Sequence, residues 1–234
     1  MRLLIVQTGT AIPAVRRRFG DFAQWFRRGL GLAPRQTQCV RVDRGGRLPS
    51  PESVAGIIVT GSGAMVTDKL DWSEATAHWL RRAVDADVPL LGVCYGHQLL
   101  AHALGGRVGH NPRGREMGTV RIHSSPAARD DALFATAPPE FLAHATHLQT
   151  VLRPPRDSIV LARSSLDDCQ AIRFAPRAWG MQFHPEFGVA EMRAYIRARD
   201  GALADEDFDV AAMLGEIRTT PQARSVLRRF AKLC

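Results

Sequence analysis

Lysine is almost missing from this 234-residue chain: Lys69 and Lys232 are the only two among 31 basic side chains, and arginine supplies the rest. The formal net charge is +8, yet the arginines form no single stripe. Short clusters such as Arg16-Arg17-Arg18 and Arg228-Arg229 fall in or beside amphipathic helical stretches, which reads as solvated helix faces rather than a nucleic-acid surface. Long apolar runs are absent too. No stretch approaches the roughly 18 residues a membrane span needs. The opening run Met1–Val6 is short and passes into Gln7-Thr8-Gly9-Thr10 without a small-residue cleavage site, so it reads as a strand rather than a leader. A cytoplasmic location is expected. Only four cysteines occur, at 39, 94, 169 and 234. None pair as C-x-x-C, which argues against a zinc or dithiol motif, and a disulfide framework is not expected in such a chain. No histidine pair stands at metal spacing beside a carboxylate; His97 and His102, five apart on one helix, diverge. Gly61-x-Gly63 lacks the last glycine of a dinucleotide fingerprint. No metal and no cofactor is therefore expected.

What is present is an alternation. Hydrophobic residues make up 45% of the chain, enough for a sizeable core. Strand-like runs at Leu3–Gln7, Gln38–Val42, Val54–Thr60 and Pro89–Val93 alternate with helical patterns at Asp21–Leu30, Asp71–Val84 and Gly96–Leu104, which argues for βαβ units and a parallel sheet. Trp72, Ala75, Trp79 and Leu80 are expected on one buried helix face. From Thr119 onward the pattern changes to strands near one another (Thr119–His123, Ser158–Arg163, Gln170–Phe174, Ala178–Phe183), which argues for a mixed extension of the sheet. Helices return at Val189–Ala198, Phe208–Ile217 and Pro221–Leu233, the last with Thr220 as N-cap and Pro221 at its first position. The fold class is a three-layer α/β sandwich with a mixed, mostly parallel central sheet, and residues 201–234 read as a helical C-terminal extension to a domain spanning 1–200.

Of the cysteines, Cys39 and Cys169 lie in or beside strand-like runs and read as small core residues. Cys94 differs. In Gly92-Val93-Cys94-Tyr95-Gly96 a buried strand stops and a helix starts within two residues, the layout of a nucleophile elbow. Such a turn lifts the side chain above the sheet, crowds the positions two before and two after, and aims helix N–H groups at the sulfur, favouring thiolate. A base for it stands in Phe183-His184-Pro185-Glu186. Pro185 keeps the chain extended at His184, so His184 and Glu186 project to one side. The carboxylate can then hold one imidazole nitrogen and leave the other to work on the thiol.

Gly92-Val-Cys94-Tyr95-Gly96-His-Gln98 and Phe183-His184-Pro185-Glu186, about ninety residues apart, resemble the two motifs of class I glutamine amidotransferases, in the manner of the glutaminase domain of GMP synthase and its stand-alone relatives. The resemblance runs over roughly residues 3–199. It implies Cys94 as nucleophile, His184 as base and acid, and Glu186 as orienting carboxylate. It also implies oxyanion donors at Tyr95 and in the Gly61–Ser62 region of Thr60-Gly61-Ser62-Gly63, and substrate contacts at Gln98, His147 and Gln149. In Thr146-His147-Leu148-Gln149-Thr150-Val151 the family's Ser-His-x-Asp-x-Val element has lost its acid to Gln149, and with it one charge for a substrate ammonium. Glu116-x-Gly118 also resembles a family strand. The implied function is release of ammonia from glutamine through a Cys thioester; the alternatives are a γ-glutamyl hydrolase or peptidase on the same scaffold and an inactive regulatory subunit. One implied partner is glutamine or another γ-glutamyl small molecule. Since these residues hold no ATP-pyrophosphatase loop, the other is a separate synthetase subunit that accepts the ammonia.

Overall fold

A computed structural model describes all residues from 1 to 234. In chain order it places β1 (Leu3–Gln7), α1 (Pro13–Phe19), α2 (Phe22–Leu30), β2 (Thr37–Arg41), β3 (Gly56–Val59), α3 (Asp71–Asp85), β4 (Leu90–Val93) and α4 (Tyr95–Ala103). There follow β5 (Arg107–His110), β6 (Glu116–Ser124), β7 (Glu140–His147), β8 (Gln149–Arg153), β9 (Ile159–Arg163), β10 (Ala171–Ala175) and β11 (Ala178–Met181). The chain ends with α5 (Val189–Ala198), α6 (Asp200–Ala204), α7 (Val210–Gly215) and α8 (Pro221–Phe230).

Nine strands form one mixed sheet in the order β2-β1-β3-β4-β11-β10-β9-β6-β7. The pairings from β2 through β11 are parallel, and those from β11 through β7 are antiparallel. Strand side chains alternate between faces, and the core divides accordingly. Leu3 and Ile5 belong to a cluster with Trp25, Phe26, Ile196 and Phe230 on one face, whereas Leu4 and Val6 join Trp79, Leu80 and Leu99 on the other. Helices α2, α5 and α8 thus cover one side and α3 and α4 the other, giving three layers. β5 and β8 make a separate two-stranded sheet.

Strand-to-helix connections in parallel sheets place chain reversals at the carboxyl ends of the strands, which is where open α/β folds gather their sites. Here β3, β4 and β11 are immediate neighbours, so Gly61, Cys94 and His184 emerge along one edge although ninety residues separate the last two. Leu203, Ile217, Ala223, Val226, Leu227 and Phe230, all beyond residue 200, pack into the same cluster as the first of these faces.

Several elements differ from the sequence expectations. α1 was not anticipated; it buries only Val15, so its periodic signal is faint. On α3, Ala75 is exposed and Trp72 half-buried; the inward face is Ser73, Thr76, Ala77, Leu80 and Ala83, with Trp79 beside them. β5, β7 and β8 lay outside the expected strands, and α6 outside the expected helices. Pro221 does start α8, but Thr220 makes no side-chain capping hydrogen bond.

Candidate functional site

Cys94 occupies the N-cap of α4 with φ 53° and ψ −105°, a conformation that costs a non-glycine residue strain and recurs where a side chain must be held in one place. Its neighbours explain the glycines. A Cβ on Gly92 would lie 2.3 Å from the carbonyl oxygen of Gly96, and one on Gly96 would lie 2.4 Å from that of Val59. Both obstacles are backbone, so the elbow closes only with glycine at these positions. Cys94 N–H donates to Met181 O at 2.8 Å, tying the turn to the end of β11. Tyr95 stands at the first helical position, where the helix offers its N–H no acceptor. Its phenol is buried elsewhere, 2.6 Å from Ser73 Oγ, so only its backbone faces the site.

His184 is clamped. Its N–H donates to His144 O at 2.7 Å, its Nδ1 donates to Glu186 Oε1 at 2.8 Å, and its ring stacks on Phe187 with centroids 4.2 Å apart. Across the ring stands Gly61, where a Cβ would come within 3.1 Å of His184 Cε1 and 3.7 Å of Cys94 Cβ. Gly61 therefore borders both side chains, and a larger residue would wedge into the space between them. Nε2 of His184 is buried without a hydrogen-bond partner, the nitrogen left over for chemistry. Burial opposes charge on this imidazole, but the Glu186 carboxylate and the Cys94 thiolate outweigh it and push its pKa up to about 10. Burial likewise opposes the Cys94 thiolate, yet the His184 charge draws the thiol below its ordinary range, with His147 helping. The two shifts have one cause: a thiolate–imidazolium pair stabilises each partner's charged form.

The Gly-rich loop after β3 is fixed from behind. The Gly61 carbonyl accepts from Thr8 Oγ1 at 3.1 Å and Thr60 Oγ1 at 3.0 Å, and Ser62 Oγ donates to Thr8 O at 2.8 Å. In a trans peptide C=O and N–H point oppositely, so the Ser62 N–H is directed away from the threonines; it makes no hydrogen bond within the chain.

Gln98, His147 and Gln149 all line the pocket beside Cys94. The chain leaves β7 for β8 at Leu148, which puts His147 and Gln149 at the corner. Gln98 Nε2 is committed to Gln149 O at 2.7 Å and Gln182 Oε1 at 2.8 Å. Gln149 Nε2 donates to Thr67 Oγ1 at 2.6 Å, while its Oε1 is buried without a partner. His147 has an acceptor at each nitrogen: Gln149 O on Nδ1 and Glu116 Oε2 on Nε2, both at 3.0 Å. With both nitrogens donating, the ring is an imidazolium. Burial works against that charge, but the Glu116 hydrogen bond and the Asp167 and Glu116 charges raise its pKa. Glu116 is fixed in turn by Ser164 Oγ at 2.6 Å and by Gln170 Nε2.

Thr146, at the serine position of the Ser-His-x-Asp-x-Val element, also lines the site, its carbonyl 3.9 Å from Cys94 Sγ, whereas the polar lining residues Arg115, Tyr195 and Arg199 had no signal in the sequence. Each of these three reaches the site by tertiary packing alone, with no local pattern to mark it.

A family model described as glutamine amidotransferase class-I matches residues 20–200. One subunit of the glutamine-hydrolyzing GMP synthase from Ignicoccus hospitalis is 38% identical over 155 residues, covering 64% of this chain and 77% of that protein. The corresponding protein of Methanocaldococcus jannaschii is 31% identical over 145 residues, 62% of this chain and 71% of that one. Against the GMP synthase of Aeropyrum pernix identity is 33% over 132 residues, 56% of this chain but only 24% of that protein, so the match spans about a quarter of that relative's length. Among solved structures, a glutamine amidotransferase from Thermotoga maritima superposes with a TM-score of 0.77 at 21% identity over 99% of this chain and 96% of that one. Another from Methylobacillus flagellatus gives 0.73 at 23% identity over 99% and 94%; at these identities the likeness is one of fold. The chain belongs to the glutamine amidotransferase class-I family, and its class of enzyme is a glutamine amidotransferase. No helix is long and apolar enough to cross a membrane.

Proposed function

We propose that this chain hydrolyses the side-chain amide of glutamine through a thioester on Cys94, releasing glutamate and ammonia. The observation that carries the reading is the meeting of the three neighbouring strand ends: Gly61 borders both Cys94 and His184, and His184 is held by Glu186 with its other nitrogen unengaged. In the proposed cycle the Cys94 thiolate attacks the carboxamide carbon. The oxyanion takes hydrogen bonds from the backbone N–H groups of Tyr95 and the Gly61–Ser62 peptides, donors that need no reorganisation. The His184 imidazolium gives its proton to the amide nitrogen, the C–N bond breaks and ammonia leaves. Neutral His184 then takes a proton from water, hydroxide attacks the thioester, and glutamate departs as the thiolate–imidazolium pair is restored.

The ammonia acceptor is proposed to be a separate synthetase subunit in the same compartment, taken to be the cytoplasm, in keeping with relatives that are themselves named subunits. Residues 1–200 are proposed as the amidotransferase unit and 201–234 as an extension packed onto it. A γ-glutamyl hydrolase is the second reading, favoured by the neutral Gln149 in the pocket. The test is direct. Purified protein with glutamine, alone and with the candidate synthetase, should release glutamate and ammonia one to one, and Cys94→Ala should lower turnover by at least about 10⁴-fold with its thermal midpoint kept. A Cys94→Ala protein that turns over like the wild type would end the reading.

A further inference from the structure

Two pockets meet at Cys94, sharing Ser62, Gly63, Thr146 and Arg199, and neither is lined by an aspartate or a glutamate. Apart from the Cys94 thiolate, which the His184 imidazolium offsets, their charged groups are all positive. Arg115 is already neutralised: its Nε and Nη2 donate to the two carboxylate oxygens of Glu206 at 2.7 and 2.6 Å. His147 is an imidazolium whose counter-ions, Glu116 and Asp167, lie behind it in the protein. Arg199 stands apart. It reaches into both pockets, its Nε is buried without an acceptor, and burial together with the nearby Arg115 charge presses against its own positive charge. A half-buried guanidinium without an acceptor is a costly arrangement, and it opens onto the space beside the candidate nucleophile.

Glutamine carries two charges at its head, a carboxylate and an ammonium. The pocket meets the first with Arg199. For the second it holds only neutral acceptors: the unpartnered Gln149 Oε1 and the Thr146 carbonyl. A neutral acceptor takes an amide N–H as well as an ammonium, with no ion pair to single out the ammonium, and the surrounding guanidinium and imidazolium charges disfavour the ammonium.

We infer that this site selects ω-amides by their distal carboxylate, read by Arg199, and does not require a free α-ammonium. This rests on the proposed amide hydrolysis at Cys94 and deepens it: the substrate class is the monoamides of glutarate-like diacids, with glutamine, N-acylglutamine and the desamino compound glutaramate as members.

The experiment compares kcat/KM for glutamine, N-acetylglutamine and glutaramate, and in parallel measures calorimetric binding of the same three to Cys94→Ala. A site built around the ammonium discriminates against the analogue lacking it by up to about 10⁴-fold; here, where only a neutral acceptor is left unpaired, glutaramate should fall behind glutamine by no more than about tenfold. Arg199→Gln should raise KM for all three by roughly 10- to 100-fold with kcat little changed, as lost ground-state binding does. Gln149→Glu should raise the preference for glutamine over glutaramate by about tenfold. Alkylation of Cys94 by uncharged iodoacetamide at the wild-type rate certifies that Arg199→Gln is folded around an intact site. Wild-type protein that takes glutamine but rejects glutaramate by about 100-fold or more overturns the inference while leaving the hydrolysis reading standing, as does an unchanged KM in Arg199→Gln. Protein inert to all three amides whose Cys94→Ala form binds glutamine and glutaramate alike does the reverse: hydrolysis falls and the carboxylate selectivity stands. Binding of glutamine alone by Cys94→Ala overturns the selectivity.

Discussion

Four cysteines in one chain give an internal comparison of what surroundings do to a thiol. Burial raises Cys39 and pushes Cys169 up to about 12, while Cys234 is exposed at the chain end. Cys94 is buried much as Cys169 is, yet its thiol is drawn down because an imidazolium stands beside it. A thiol reacts as thiolate, so alkylation rises with pH through the pKa. At pH 7 iodoacetamide should therefore label Cys94 well ahead of the buried Cys169 and the half-buried Cys39, which peptide mass mapping reads directly. His184→Ala removes the charge that lowers Cys94 and leaves the burial that raises it. The labelling midpoint then moves above the ordinary thiol value of 9.0, and the rate at pH 7 drops by at least about tenfold. An unchanged midpoint in that variant would show that His184 does not hold the thiolate. The residues behind this chemistry were legible because each motif is local: Gly92-x-Cys94-x-Gly96 and His184-Pro185-Glu186 each state their geometry within five positions. Arg199 and the ties from His147 to Glu116 and Asp167 were not, since their partners or pockets arise from segments far apart in the chain and no spacing marks them.

At the level of elements, strands buried on both sides were the easiest to read. β3 and β4 are unbroken apolar runs, β1 is apolar up to its last residue, Gln7, and every residue of the three is buried; their expected bounds differ from the observed ones by no more than the usual fraying. β5 and β7 failed for the opposite reason. The ends of β5 are exposed, and β7 alternates Phe141, Ala143, Ala145 and His147 inward, where two alanines and a histidine give a weak hydrophobic period. The elbow itself makes a sharp stability claim. In Gly92→Ala the new Cβ meets the Gly96 carbonyl at 2.3 Å and the His97 nitrogen at 2.7 Å, and neither backbone atom can yield without moving α4. A loss of about 3 kcal/mol is expected. Gly215→Ala, at the end of α7 with nothing within 4 Å of its Cβ, is the control and should be neutral or slightly stabilising. Urea midpoints of the two variants decide it; a Gly92→Ala protein as stable as Gly215→Ala would mean the turn has slack.

Across the whole molecule, the sequence announced a parallel half and a mixed half but not that β11 would insert beside β4. That adjacency, fixed by long-range packing, is what unites the two motifs. The same packing encloses histidines that stay neutral. Burial lowers His97 to about 3 and His144 to about 4, whereas both have an ordinary value of 6.5 in the unfolded chain. Below pH 6.5 the unfolded state therefore binds protons that the folded state refuses, and stability falls as pH falls. His184 and His147, with raised values, work the other way, but their stabilisation is fully present below 6.5 and is lost only as pH rises through their folded values, so they offset little of the acid loss. Between pH 6.5 and 5, a window in which exposed carboxylates barely titrate, the net loss should be roughly 2 kcal/mol. Urea unfolding at half-unit steps across that window measures it, with the slope reporting the protons taken up on unfolding. A flat profile would mean that His97 and His144 accept protons inside the fold, and with them that the packing around α4 and β7 is looser than the enclosed imidazoles require.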